Sequence, residues 1–263
     1  MEFGIKGKVA LVTASSQGLG RAAATSLAKE GACIALCARD TEAVRAAAEE
    51  IGRETGAETA AFTADVADAE GIRRLIAGVT ERFGPVQILV NNAGGPPAGP
   101  IDRLTDEEWE KGFHLTMMSM VRLTRAVLPG MKEHRWGRVI SLVSLAAKQP
   151  IDDLLISSTL RPGILGLSKV LATQYGRYGV TVNTVCPGYV LTKRMEDLGR
   201  VRSKERNITM EQYLTESAAA IPAGRLGRPE EIGDVVAFLA SERASFINGA
   251  NLLVDGGQAR GIH

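Results

Sequence analysis

The sequence predicts a doubly wound α/β fold, a seven-stranded parallel sheet with helices on both faces, and two observations carry that prediction. Short apolar runs of β type alternate with longer segments of helical period, the order that crossover helices impose on a parallel sheet. The runs are nearly continuous in apolar residues, as strands covered on both faces must be. Strands are expected over residues 9–13, 33–38, 59–63, 88–91, 138–143, 181–186 and 251–254. Right-handed crossovers then place helices on each side, over 18–30, 42–55, 69–82, 106–133, 164–178 and 229–240. Gly31, Gly84, Gly137 and Gly179 stand at helix ends, where C-terminal caps are expected. There is no repeat and no linker, so residues 1–263 are expected to form a single domain, a length that suits one large α/β unit. Residues 193–228 differ: they are rich in charge and follow the sixth strand, so they form either a lid over a ligand or a solvated helical excursion.

Composition narrows the partners. Thirty-one Lys and Arg against 30 Asp and Glu leave a formal charge of +1, which offers no field for nucleic acid or an anionic membrane. A small-molecule substrate is expected, with no nucleic acid, membrane or metal partner. Cys33 and Cys37 lie four apart on one strand, roughly 13 Å at ordinary rise, too far for a disulfide, and Cys186 is the third cysteine. A reducing cytoplasm is the expected location: residues 1–6 lack the basic and apolar regions of a signal peptide, and no apolar run reaches membrane-spanning length.

Between the first strand and its helix stands Thr13, then Ala14, Ser15, Ser16, Gln17, Gly18, Leu19 and Gly20. Such a turn brings backbone N–H groups and a helix N-terminus to the sheet edge, where a pyrophosphate is favoured; close helix–strand packing is the other use of its glycines. The segment resembles the first motif of the short-chain dehydrogenase/reductases, T-G-x-x-x-G-x-G, with Ala14 replacing the first glycine. Alanine suits that position only at negative φ. The resemblance continues through Asp65 and Val66, the run Asn91 to Gly94, Pro187 and Gly188 with Thr192, and residues 254–257. It implies a Rossmann fold that binds NADP(H). Asp65 and Val66 then flank the adenine, Asn91, Ala93 and Gly94 line the floor, and Pro187, Gly188, Val190 and Thr192 hold the nicotinamide amide.

After the second strand, relatives that prefer NAD carry an acid for the ribose diol, whereas Ala38 is followed here by Arg39. A guanidinium matches a 2′-phosphate in charge and geometry, so NADP(H) is the preferred cofactor, with NAD(H) still open. The other reading of Arg39 is a surface arginine paired with Asp40 or Glu42.

Members of the family use an Asn, a Ser and a Tyr-x-x-x-Lys pair. Registration from residues 137–141 puts the family serine at Ser144, the tyrosine position at Ser157 and the lysine position at Arg161. Counting seven residues from Trp109 puts the Asn position at Thr116. An aliphatic hydroxyl titrates far above a phenol, so Ser157 cannot replace tyrosine directly, and Arg161 stays protonated where lysine can shuttle a proton. Pro162 predicts a helix that starts at about Arg161, with Ser157 and Arg161 on different faces. Lys148, Asp152, Asp153 and His114 are the other candidates for proton transfer near this loop.

Two functions follow. One is a divergent reductase of the β-ketoacyl-carrier-reductase-like group, with NADPH as hydride donor and a carbonyl substrate beneath residues 193–228. The other is an NADP(H)-binding pseudoenzyme that serves as a sensor or partner subunit. The resemblance also implies a homotetramer or homodimer, paired through residues 106–133 and 164–178, whose stripe of Leu115, Met118, Val121 and Leu123 suits a core equally well.

Overall fold

A computed structural model describes residues 2–261. Its strands are β1 (Val9–Thr13), β2 (Cys33–Ala38), β3 (Thr59–Thr63), β4 (Ile88–Asn91), β5 (Gly137–Leu142), β6 (Val180–Pro187) and β7 (Asn251–Val254). They pair in parallel throughout, in the order β3-β2-β1-β4-β5-β6-β7. The helices are α1 (Gly18–Lys29), α2 (Thr41–Thr55), α3 (Ala69–Phe83), α4 (Asp106–Phe113), α5 (Ser119–Glu133), α6 (Leu155–Tyr175), α7 (Lys193–Glu205), α8 (Met210–Ala219) and α9 (Pro229–Ala240).

Successive side chains of a strand face opposite ways, which divides β1 between two cores. Ala10 and Val12 pack with Leu27 of α1, Ile51 of α2 and Val236 of α9 on one face. Val9 and Leu11 pack with Leu75 of α3, Leu123 of α5 and Ala172 of α6 on the other. Each such fully buried Leu or Ile contributes about 1.5–3 kcal/mol. This two-sided burial explains the unbroken apolar runs.

Three features differ from expectation. Gly137 opens β5 and caps no helix; a Cβ there would meet the Met131 side chain at 2.6 Å, so glycine is needed for close approach. Gly31, Gly84 and Gly179 do have positive φ, of 81°, 90° and 74°. The helix expected over 106–133 is divided by a π-turn at His114–Met118, which shifts the phase of α5 relative to α4. Residues 193–228 supply α7 and α8.

The third difference is the start of α6 at Leu155, with Pro162 inside the helix. Proline at this depth costs roughly 3 kcal/mol through a missing N–H and a clash with the preceding turn. Burial of Ile156, Ile164 and Ala172 offsets that cost, as does a hydrogen bond donated by Arg161 Nη1 to the Val143 carbonyl. Gly163 next to it lets the π-turn come close, since a Cβ there would lie 2.6 Å from Met117 Cε. Tertiary packing overrides the local preference, and Ser157 and Arg161 end one turn apart on the same face.

All three cysteines are free thiols. Among the described residues no helix is long and apolar enough to cross a membrane, and no three metal-ligating side chains cluster.

Candidate active site

Every strand points its carboxyl end to one edge, and the strand order reverses between β1 and β4. Loops leaving that point turn to opposite faces and open a crevice, the usual ligand position in such sheets. Here the crevice is a cavity of about 710 Å³. One end is lined by Ala14, Ser16, Gln17, Gly18, Leu19, Arg39, Asp65 and Val66, and the floor by Asn92, Ala93, Gly94 and Gly95. The other end is lined by Ser144, Ser157, Arg161, Pro187, Gly188, Val190 and Thr192, with Tyr189 and the first turns of α7. Most of the residues singled out in the sequence therefore meet in one space.

Ser15, Gly20, Asn91 and Thr116 do not line it. Ser15 fastens two strands: its N–H donates to the Cys37 carbonyl at 3.0 Å, and its Oγ accepts from the Cys37 N–H at 3.0 Å. Gly20 is a packing residue, because a Cβ there would lie 2.4 Å from the Ala14 carbonyl oxygen. Asn91 is buried, and its Nδ2 donates to Thr124 Oγ1 at 3.1 Å and Ser141 Oγ at 3.3 Å. Thr116 is buried inside the π-turn, and its Oγ1 has no partner among the described residues.

The loop after β1 is held from below. Thr13 Oγ1 donates to the Asn92 carbonyl at 2.7 Å and accepts from the Asn92 N–H at 2.9 Å, while Asn92 Nδ2 donates to the Ala14 carbonyl at 3.1 Å. Ala14 has φ of 47°, in the left-handed region, not the negative φ an alanine requires. The clasp holds it there against a steric cost of roughly 1–2 kcal/mol.

An anion fits the start of α1 on local grounds. Asp40 and Asp68 side chains cap α2 and α3, whereas Gln17 makes no side-chain cap on α1 and the first turn carries no acid. Its free amides and positive dipole end face the cavity. Arg39, exposed beside them, makes no ion pair among the described residues: Asp40 accepts from the Ala43 N–H and Glu42 pairs with Arg45 at 3.3 Å. The pairing with Asp40 or Glu42 is thus not formed among the described residues.

At the far end, Ser144 follows β5 and its Oγ accepts from the Ala146 N–H at 3.1 Å. Ser157 and Arg161 reach the same space from α6, and both are largely buried. Burial lowers the Arg161 pKa to about 10, and neighbouring Arg194 pushes the same way. It remains a cation at neutral pH. Lys148, Asp152, Asp153 and His114 do not line the cavity, and Asp153 is engaged by Arg202 through bonds of 2.7 and 2.8 Å. Tyr189, inside the run 187–192 but not singled out by the sequence, also lines the cavity, and burial raises its phenol pKa. Its only signal was its place directly after Pro187 and Gly188.

A family model described as enoyl-(acyl carrier protein) reductase matches residues 13–259. The chain belongs to the short-chain dehydrogenase/reductase family. Within this family, a 3-oxoacyl-(acyl-carrier-protein) reductase of Vibrio cholerae is 36% identical over 253 residues, which cover 96% of this chain and 98% of the relative. L-sorbose reductase from Gluconobacter frateurii, solved with NADPH and L-sorbose, superposes with a TM-score of 0.95 at 35% identity and full coverage of both chains. Actinorhodin polyketide ketoreductase with NADPH superposes at 0.93 and 35% identity, covering 97% of this chain and 98% of that one. These short-chain family members are oxidoreductases, and that general class holds for this chain.

Proposed function

We propose that the protein is an NADP(H)-dependent oxidoreductase acting on a carbonyl or alcohol through an atypical set of side chains. The observation that carries this is one cavity that joins the uncapped amides of α1 and unpaired Arg39 to Ser144, Ser157 and Arg161. Two similar structures hold NADPH. Backbone amides from Ser16 to Leu19 take the pyrophosphate and Arg39 the 2′-phosphate. Asp65 and Val66 flank the adenine, Ala93 and Gly94 form the floor, and residues 187–192 hold the amide end. When bound, the coenzyme exchanges a hydride with the substrate carbon.

Ser144 and Ser157 hydroxyls donate to the substrate oxygen, and Arg161 supplies positive charge near it. Neither serine titrates near neutral pH, so water carries the proton. Losing a positioned acid costs typically 10²–10⁴-fold in rate, and slow turnover is expected. α7 and α8 form the lid. The absence of a phenol at position 157 also favours a second reading, a coenzyme-binding protein without turnover.

Calorimetry with NADPH, followed by a carbonyl panel monitored by NADPH oxidation, tests the proposal. Micromolar binding with measurable turnover supports it; no heat with NADPH or NADH overturns it, and binding without turnover selects the second reading. Ser157→Tyr is expected to raise turnover, and an unchanged rate argues against the role given to position 157.

A further inference from the structure

Arg161 has a charge with no counterpart. It is 8% exposed, and Nε has no partner among the described residues. Of the five N–H groups a guanidinium offers, one finds an acceptor among the described residues, the Val143 carbonyl. No carboxylate is among the groups acting on it; those that do are the buried Cys186, whose thiol burial holds in its neutral form, and Arg194, a second cation. A buried charge left unpaired costs several kcal/mol, so such residues are rare unless a ligand completes them.

The surroundings do not supply that completion. Lys193 and Arg194 line the same end of the cavity and form no ion pair among the described residues. Arg194 spans the mouth, with Nη2 donating to the Pro96 carbonyl at 2.9 Å. Asp197 lines this end but pairs with Arg200 at 3.2 Å. The coenzyme phosphates belong to the loop after β1, whereas Arg161 sits at the ends of β5 and β6. At ordinary strand spacing that is roughly 10 Å away. Ribose hydroxyls can satisfy N–H groups there, but they are neutral and leave the charge standing.

We infer that the substrate of this site is an oxoacid, a carbonyl compound whose carboxylate is held by Arg161 with Arg194 closing over it. A planar carboxylate matches a guanidinium, and Ser144 and Ser157 are left for the carbonyl oxygen. The inference rests on the oxidoreductase reading above for the carbonyl, and on Arg161 alone for the anion.

The test pairs an acid with its own methyl ester, which keeps the ketone and removes the charge. NADPH-loaded wild-type protein is assayed with acetoacetate and methyl acetoacetate, and with pyruvate and methyl pyruvate. Malonate, an unreactive dicarboxylate, is titrated by calorimetry into protein with and without NADPH. Malonate is expected to bind, and for at least one pair the acid should exceed the ester in kcat/KM by roughly 10-fold or more, the worth of a charge-assisted hydrogen bond. Arg161→Met is expected to lose malonate binding and any preference for the acid, while Arg161→Lys keeps part of both. If NADPH binds but malonate gives no heat, or if each ester is turned over as well as its acid, the inference fails and the oxidoreductase assignment stands. If NADPH does not bind while malonate does, the oxidoreductase assignment fails and the anion subsite survives. The wild-type comparisons decide the question even where Arg161→Met does not fold.

Discussion

Ala14→Gly should stabilise the protein, against the usual direction of glycine substitutions. Ala14 has φ of 47° and is held there by Asn92, so its Cβ crowds the following carbonyl in every native molecule. Relief of that crowding is worth roughly 1–2 kcal/mol. The added freedom of glycine in the unfolded chain takes back about 0.4–1 kcal/mol. The net expectation is a gain of about 0.5–1 kcal/mol, which for a domain of this size is roughly 1–4 °C in Tm. Urea titration and a thermal melt read it directly: the midpoint should move up with the slope unchanged. NADPH affinity should be equal or better, because the amides of the loop keep their places. A variant that is less stable than the parent, at unchanged slope, would refute the left-handed conformation and with it the clasp described for this loop.

Three further outcomes follow from the same geometry. Arg39→Ala should weaken NADPH binding roughly 10-fold or more while NADH changes little, as read by calorimetry; equal losses would remove Arg39 from the 2′-phosphate. Gly20→Ala drives a Cβ to within 2.4 Å of the Ala14 carbonyl, so about 1–3 kcal/mol should be lost in urea unfolding, together with coenzyme binding. Burial pushes the Cys37 thiol up to about 12 and raises Cys186. The Cys37 thiolate at pH 8 is then about one part in 10,000. Cys33, raised by burial and by Glu58 but partly accessible, should be the first to alkylate in native protein, and labelling of Cys37 before unfolding would contradict the core packing.

What the sequence made legible was what periodicity encodes. β1 to β4 and β7 run over the expected residues, and β1, β2 and β4, whose residues are almost all buried, owe their legibility to the apolar runs that burial on both faces leaves. The crevice was legible as a series of short motifs at successive strand ends. The start of α6 was not, because Pro162 is a strong local breaker and the packing that overrides it, Ile164 against Met120, Val143 and Cys186 and Ile156 against Gly112, is set by other parts of the chain. Gly137 carries the same lesson: its need for glycine comes from Met131, and a helix cap looks identical in sequence. The φ of Ala14 is fixed by Asn92, seventy-eight residues away. Solitude, likewise, cannot be read from a string: Arg161 is informative because, among the described residues, no acid pairs with it.

The reciprocal bonds between Thr13 and Asn92 give the two walls of the crevice different mechanical characters. Two loops on neighbouring strands are stitched together, and neither can swing without tearing the other, so that wall is a fixed slot already shaped before a guest arrives. The opposite wall is joined to its neighbours largely by side chains, Arg194 to the Pro96 carbonyl and Arg202 to Asp153, and by the backbone bridge of Val190 with Gly227. If α7 is the lid proposed above, amide exchange there should outpace that of the stitched loops by orders of magnitude.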